Sequence, residues 1–147
     1  MLINDGNKRC LWKKIISSVL IIIGLLCNSA RAEWTGDSTN HFYSNAVITD
    51  MHVGQLDNSQ YFCIKAQLTN NNTISACSVQ KQGKWGWAYE ILFSQAKLFY
   101  STGQRVRLYI QHNVWTYSKF YNVFSRNALA GLSSCSGQST CFGPAYE

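Results

Sequence analysis

The sequence predicts a small α+β domain, mainly β, pinned by disulfides. Three observations carry that expectation. Several short runs rich in β-branched and aromatic residues are separated by Asn, Asp, Ser and Gly. One stretch of helical period sits between the third and fourth of these runs. Four cysteines follow a leader-like N-terminus.

Residues 46–53, "AVITDMHV", alternate as a half-buried strand does, and Gly54 suits a bulge or turn. "LDNSQ" at 56–60 reads as a turn into a second strand, "YFCIKAQL" at 61–68. After the "TNNN" loop comes "TISACSVQ" at 73–80, a third strand. In residues 88–101, Ala88, Ile91, Leu92, Gln95, Ala96, Leu98 and Phe99 recur at helical spacing, and Gly103 suits a helix stop. "QRVRLYIQ" at 104–111 alternates strictly. Val106, Leu108 and Ile110 point one way; Arg105, Arg107 and Tyr109 point the other. The aromatic run "VWTYSKFYNVF" is ambiguous, and 127–134 suits a last short strand. Three strands, a helix and two more strands suggest a barrel or sandwich. The natural candidate is the five-stranded oligonucleotide/oligosaccharide-binding barrel, with its helix after the third strand. No internal repeat, Pro-rich linker or charge block divides the chain.

Residues 1–32 read as a secretory signal peptide, which leaves 33–147 as the working domain and predicts a secreted protein. Lys8, Arg9, Lys13 and Lys14 precede an apolar run from Ile15 to Cys27, and Ala30-Arg31-Ala32 fits a cleavage site. That run has 13 residues, against the roughly 20 needed to span a bilayer. Cys27 does not suit a lipoprotein, because Leu26 stands where a small residue belongs. The whole chain carries a formal charge of +6. Five of its 13 basic residues and one of its seven acidic residues lie within 1–32, so 33–147 holds 8 against 6, or +2. No dense basic stripe remains to attract nucleic acid or a membrane surface.

Cys63, Cys77, Cys135 and Cys141 then imply two disulfides with three possible connectivities. The local choice is Cys63–Cys77 with Cys135–Cys141, each closing a short polar loop. The rival zinc reading is weak, since no C-x-x-C spacing occurs and export favours oxidation.

Catalytic signals are sparse. The acidic residues of 33–147 form no paired motif, and His41, His52 and His112 are scattered without a metal-ligand spacing. Oxidised cysteines supply no nucleophile, and G-x-S-x-G is absent. We therefore expect no enzyme, no cofactor and no metal. Trp34, Trp85, Trp87 and Trp115 suit structural or interface roles, while the wider stock of Tyr, Phe, Asn and Ser suits sugar binding. Ring faces pack on sugar C–H groups, and hydroxyls and amides meet sugar hydroxyls.

The strings "EWTGD", "HVGQLDN", "YFCIK", "ISACS", "FYSTGQ", "VWTY", "NALAGLSSC" and "CFGP" occur in that order. Together they resemble the B subunits of the subtilase cytotoxin and pertussis-like typhoid toxin group, over nearly all of residues 33–147. At "STGQ" and "GLSSCS" the resemblance is closer to the typhoid-type member of the group. It implies the barrel just described, assembled as a homopentameric ring with four identical neighbours. It also implies recognition of sialylated host glycans and carriage of one enzymatic A subunit through the central pore, which helix 88–101 would face.

The resemblance also implies site residues. Ser44 matches the serine that hydrogen-bonds the sugar carboxylate. Phe42 stands where relatives often carry Tyr, so ring packing stays and a hydroxyl contact goes. Asn40 falls at a position that is polar in relatives. Tyr109 matches a tyrosine touching the sugar's N-acyl group. A ligand-contacting side chain after the "YFCI" strand aligns with Leu68; the shorter "TNNN" loop makes Lys65 and Gln67 the alternatives. Two other classes of function stand beside this one: an exported nuclease-like enzyme on the same barrel, and a stand-alone adhesin or inhibitor.

Overall fold

The computed structural model describes residues 34–137 and 140–145. The expected signal peptide and the expected first mature residue, Glu33, lie outside them. Strands β1 (His41–Leu56), β2 (Ser59–Gln67), β3 (Thr73–Val79), β4 (Val106–Gln111) and β5 (Ala128–Ser134) close a barrel in the order β1-β2-β3-β5-β4. Helix α1 (Tyr89–Thr102) lies between β3 and β4. This is the order and helix position of the oligonucleotide/oligosaccharide-binding barrel. All pairs are antiparallel except β3–β5, which meet in parallel at Cys77 and Ala128.

The largest departure from expectation is β1. It runs 16 residues rather than eight, so "HFYSN" belongs to the strand. Gly54 is neither bulge nor turn; it pairs with Tyr61 inside the β1–β2 ladder. A Cβ there would come within 2.7 Å of the Tyr61 ring, so glycine is required by close approach. The irregularities lie elsewhere. Tyr43 pairs with Leu108 and Ala46 with Val106, so β1 spends three residues where β4 spends two. A second shift falls between Ile48 and Asp50. These bulges let a long strand bend around the barrel while Tyr43, Ala46 and Ile48 all keep contact with the core.

The turns follow from their residues. Asp57 adopts φ 51° between β1 and β2, and Asn71 adopts φ 65° between β2 and β3; Asp and Asn tolerate this region better than most side chains. Helix α1 ends at Gly103 with φ 64°, whose N–H donates to the Phe99 carbonyl. The ambiguous aromatic run contains a single helical turn, α2 (Ser118–Tyr121). Its Phe120 packs with Tyr61, Cys63, Cys77 and Val79 in a satellite cluster.

The main core fills the barrel with Ile48, Phe62, Ile64, Leu108, Ile110 and Leu129, plugged at one end by Tyr89, Leu92, Ala96 and Phe99 of α1. Cys63 and Cys77 sit directly opposite in the β2–β3 ladder and are bonded; Cys135 and Cys141 form the second disulfide. His112 is structural. Asn127 donates its amide to the Ser75 carbonyl, which aims Oδ1 at His112 Nδ1. In the neutral ring that nitrogen donates and Nε2 accepts from the Tyr43 hydroxyl at 3.0 Å. Burial raises the Tyr43 pKa above its ordinary value and keeps that hydroxyl protonated.

Phe62 is fully buried at the junction of barrel and helix, touching Tyr89 and Phe93. Phe62→Ala is expected to lower unfolding free energy by about 3–5 kcal/mol, read from the midpoint of denaturant unfolding; a loss below about 1 kcal/mol contradicts this packing.

Candidate functional site

The bulge in β1 turns Ser44 and Phe42 to the outer face of the β1–β4 seam, where Phe42 pairs with Tyr109. From β4, Arg107 reaches the same face. Its Nε–H donates to Ser44 Oγ at 2.8 Å, and its guanidinium lies over the Phe42 ring, 5.2 Å from the centroid. A second guanidinium nitrogen donates to the carbonyls of Gly143 and Pro144, each at 2.9 Å. Among the described residues, the oxygens that accept from Arg107 are neutral.

This geometry sets the polarity of Ser44. A serine hydroxyl has one proton and two lone pairs. Arg107 occupies a lone pair, so the Ser44 proton is directed to another acceptor. A hydroxyl that donates beside a guanidinium matches a carboxylate, because both the hydrogen bond and the field favour negative charge.

Asn45, the next residue, takes φ 59° in the bulge, and its carbonyl accepts from Arg105 at 3.1 Å. Asn45, Val47, Gln67, Leu68, Asn71 and Arg105 line an open polar cleft of about 410 Å³. The expected second wall is therefore split. Gln67 and Leu68 reach the cleft beside the Ser44 bulge. Lys65 instead lines a separate cleft of about 210 Å³ with Asp50, His52 and Phe124. The reason is register: Gln67 pairs with Val47, near the first bulge, whereas Lys65 pairs with Asp50, beyond the second.

Two of the expected contact residues are covered in the single chain. Asn40 is buried rather than presented at the surface. Its amide donates to the Thr35 carbonyl at 3.0 Å, tying down the turn before β1. Tyr109 does lie opposite the face of Val106, Leu108 and Ile110, yet it is only 2% exposed. The segment after Cys141 roofs it, and its hydroxyl donates to the Pro144 carbonyl at 2.8 Å. Alternation fixes the face a residue occupies; it is blind to a later segment folding over that face.

Arg107 and the Gly143–Pro144 segment are the parts that sequence reasoning missed. Arg107 shares its phase with Tyr109 in "QRVRLYIQ", a signal that placed it on the right face without giving it a role. Among the described residues, no group of three or more His, Cys, Asp or Glu side chains gathers as metal ligands would.

With this geometry in place, comparisons with known proteins supply the family. Residues 32–141 match the family described as pertussis toxin, subunit 2 and 3, C-terminal domain. The B subunit of subtilase cytotoxin from Escherichia coli is 47% identical over 124 residues, 84% of this chain and 88% of that protein. A solved homopentamer of Salmonella typhi PltB, a mutant carrying Neu5Ac-alpha-2-3-Gal-beta-1-4-GlcNAc glycans, is 53% identical with a TM-score of 0.74. It covers 78% of this chain and 100% of its own. A structure of subtilase cytotoxin SubAB assembly is 46% identical, with a TM-score of 0.71 over 76% of this chain and 100% of that one.

Tyr109→Phe removes one neutral hydrogen bond and leaves the ring in place. It is expected to cost about 1 kcal/mol of stability, measured by thermal unfolding; a loss above about 3 kcal/mol contradicts this role of the hydroxyl. By sequence and by structure, this chain belongs to the family of the pertussis toxin subunit 2 and 3 C-terminal domain.

Proposed function

We propose that this chain is the non-catalytic receptor-binding B subunit of a secreted bacterial toxin. Five copies form a ring, bind sialylated host glycans and carry one enzymatic A subunit. The observation that carries the glycan reading is the Ser44 hydroxyl, which accepts from Arg107 and so has its proton to give, beside the Phe42 ring. A sialic acid offers a carboxylate for the hydroxyl and an apolar sugar edge for the ring. Gln67 and Leu68 stand where the far end of the sugar would extend. Tyr109 then acts from beneath the pocket, pairing with Phe42 across the β1–β4 seam and holding the Pro144 carbonyl with its hydroxyl.

Exposed apolar groups support the ring. Trp87 and Ile91 are 81% and 71% exposed, and Leu98 is about half-exposed on the same helix as Ile91. Side chains of this kind on and beside a helix whose other face plugs the barrel suit burial against neighbours or in a central pore. In that arrangement α1 faces the pore where the A-subunit tail inserts. Among the described residues, no helix is long and apolar enough to cross a membrane. Export and cleavage after Ala32 complete the proposal.

Single-site recognition of one sugar is weak, and five copies raise avidity by roughly 10²–10⁴. Ser44→Ala is expected to leave the ring intact by native mass spectrometry and to abolish binding on a sialoglycan array. Undiminished array binding by that variant removes Ser44 from the pocket, and a clean wild-type monomer removes the ring. Nuclease and glycosidase assays on purified protein test the enzymatic alternative. Turnover that survives Ser44→Ala while array binding is lost would give the barrel a second, unrelated site.

A further inference from the structure

The C-terminal segment has a specific relation to the site. After the disulfide at Cys141, the chain folds back along β5 and β4, with the Phe142 N–H donating to the Ser134 carbonyl at 3.1 Å. Gly143 and Pro144 then present their carbonyls to one nitrogen of Arg107, and Pro144 also accepts from Tyr109. The other end of the same guanidinium holds Ser44 and covers Phe42. A guanidinium is a rigid planar fork, so fixing one edge fixes the direction of the other.

Position 143 is restricted to glycine on two counts. Its φ is 114°, in the region L side chains rarely adopt. A Cβ there would stand 2.6 Å from Tyr109 Oη and 2.8 Å from Ser133 Oγ. A side chain there would press on Tyr109 and Ser133, so the path that brings these carbonyls to Arg107 depends on glycine.

We propose that the disulfide-anchored segment Cys141–Pro144 is a clip that sets the sugar-carboxylate preference of the Ser44 pocket, with Gly143 and Arg107 as positioning residues. The proposal rests on the sialoglycan reading of that pocket. With the clip seated, Arg107 holds a lone pair of Ser44, so the hydroxyl proton and the positive field converge on one acceptor. With the clip released, Arg107 loses two carbonyl partners and swings toward water, and Ser44 becomes an ordinary rotating hydroxyl. Affinity for the acid then falls more than affinity for a neutral analogue, because the lost interactions are the charge-assisted ones.

The test titrates sialyllactose and its methyl ester against wild type, Gly143→Ala, and a Cys135→Ser/Cys141→Ser double variant. Amide exchange at Phe142 reports clip release, and native mass spectrometry reports assembly. The expected result is assembled variants with a deprotected Phe142 amide. Their affinity for the acid falls about tenfold or more, with a smaller gap between acid and ester. If Gly143→Ala fails to fold, the double variant decides, since Cys63–Cys77 still pins its barrel. A deprotected Phe142 with undiminished acid affinity overturns the clip. Equal losses for acid and ester also overturn it, by reducing the segment to general support. Wild type that binds neither ligand overturns the sialoglycan reading itself, a result distinct from both.

Discussion

Among the described residues, Arg107 gives its hydrogen bonds to neutral oxygens, and the arrangement of the site depends on that. Taking a guanidinium out of water is costly unless its donors are met, and here a serine hydroxyl and two backbone carbonyls accept three of its five N–H bonds. None of these cancels the charge. The side chain is 7% exposed, so its field is screened less than that of a surface arginine. A mildly basic domain thereby concentrates positive potential at one spot without a basic patch. That suits selection of an anionic sugar over the neutral glycans around it.

The barrel supplies the positions. One extra residue in β1 opposite β4 places Ser44 outward while Tyr43 and Ala46 stay with the core. A second irregularity near Thr49 turns Lys65 away from Gln67 and Leu68, so the outer surface of β2 serves two separate clefts. Rigidity comes from the same features. Tyr43 is fixed by His112, His112 by Asn127, and Asn127 by Ser75. The strand that carries the site thus rests on a connected polar network as well as on apolar packing.

Much of the fold was legible because its signals are local. Alternation marked the strands, a change of period marked α1, and Gly103 marked its end. Long-range features were not legible. The reach of β1 back to His41 depends on pairing with β4, far away in sequence, and "HFYSN" by itself looks like a polar loop. Motif resemblance placed Ser44 and Phe42 together, and both face the Arg107 site. It also suggested Asn40 and Tyr109 as sugar contacts, and in the single chain these hydrogen-bond to the turn at Thr35 and the segment at Pro144. A strand's phase says which side a residue faces; only the folded chain says what covers that side.

The most direct measurement is a crystal structure of the assembled protein with sialyllactose bound. The account predicts the sugar carboxylate within hydrogen-bond distance of Ser44 Oγ, with the Arg107 Nε–H still donating to that oxygen and the sugar lying against Phe42. A carboxylate seated instead on Asn71 and Gln67, with Ser44 untouched, would contradict it.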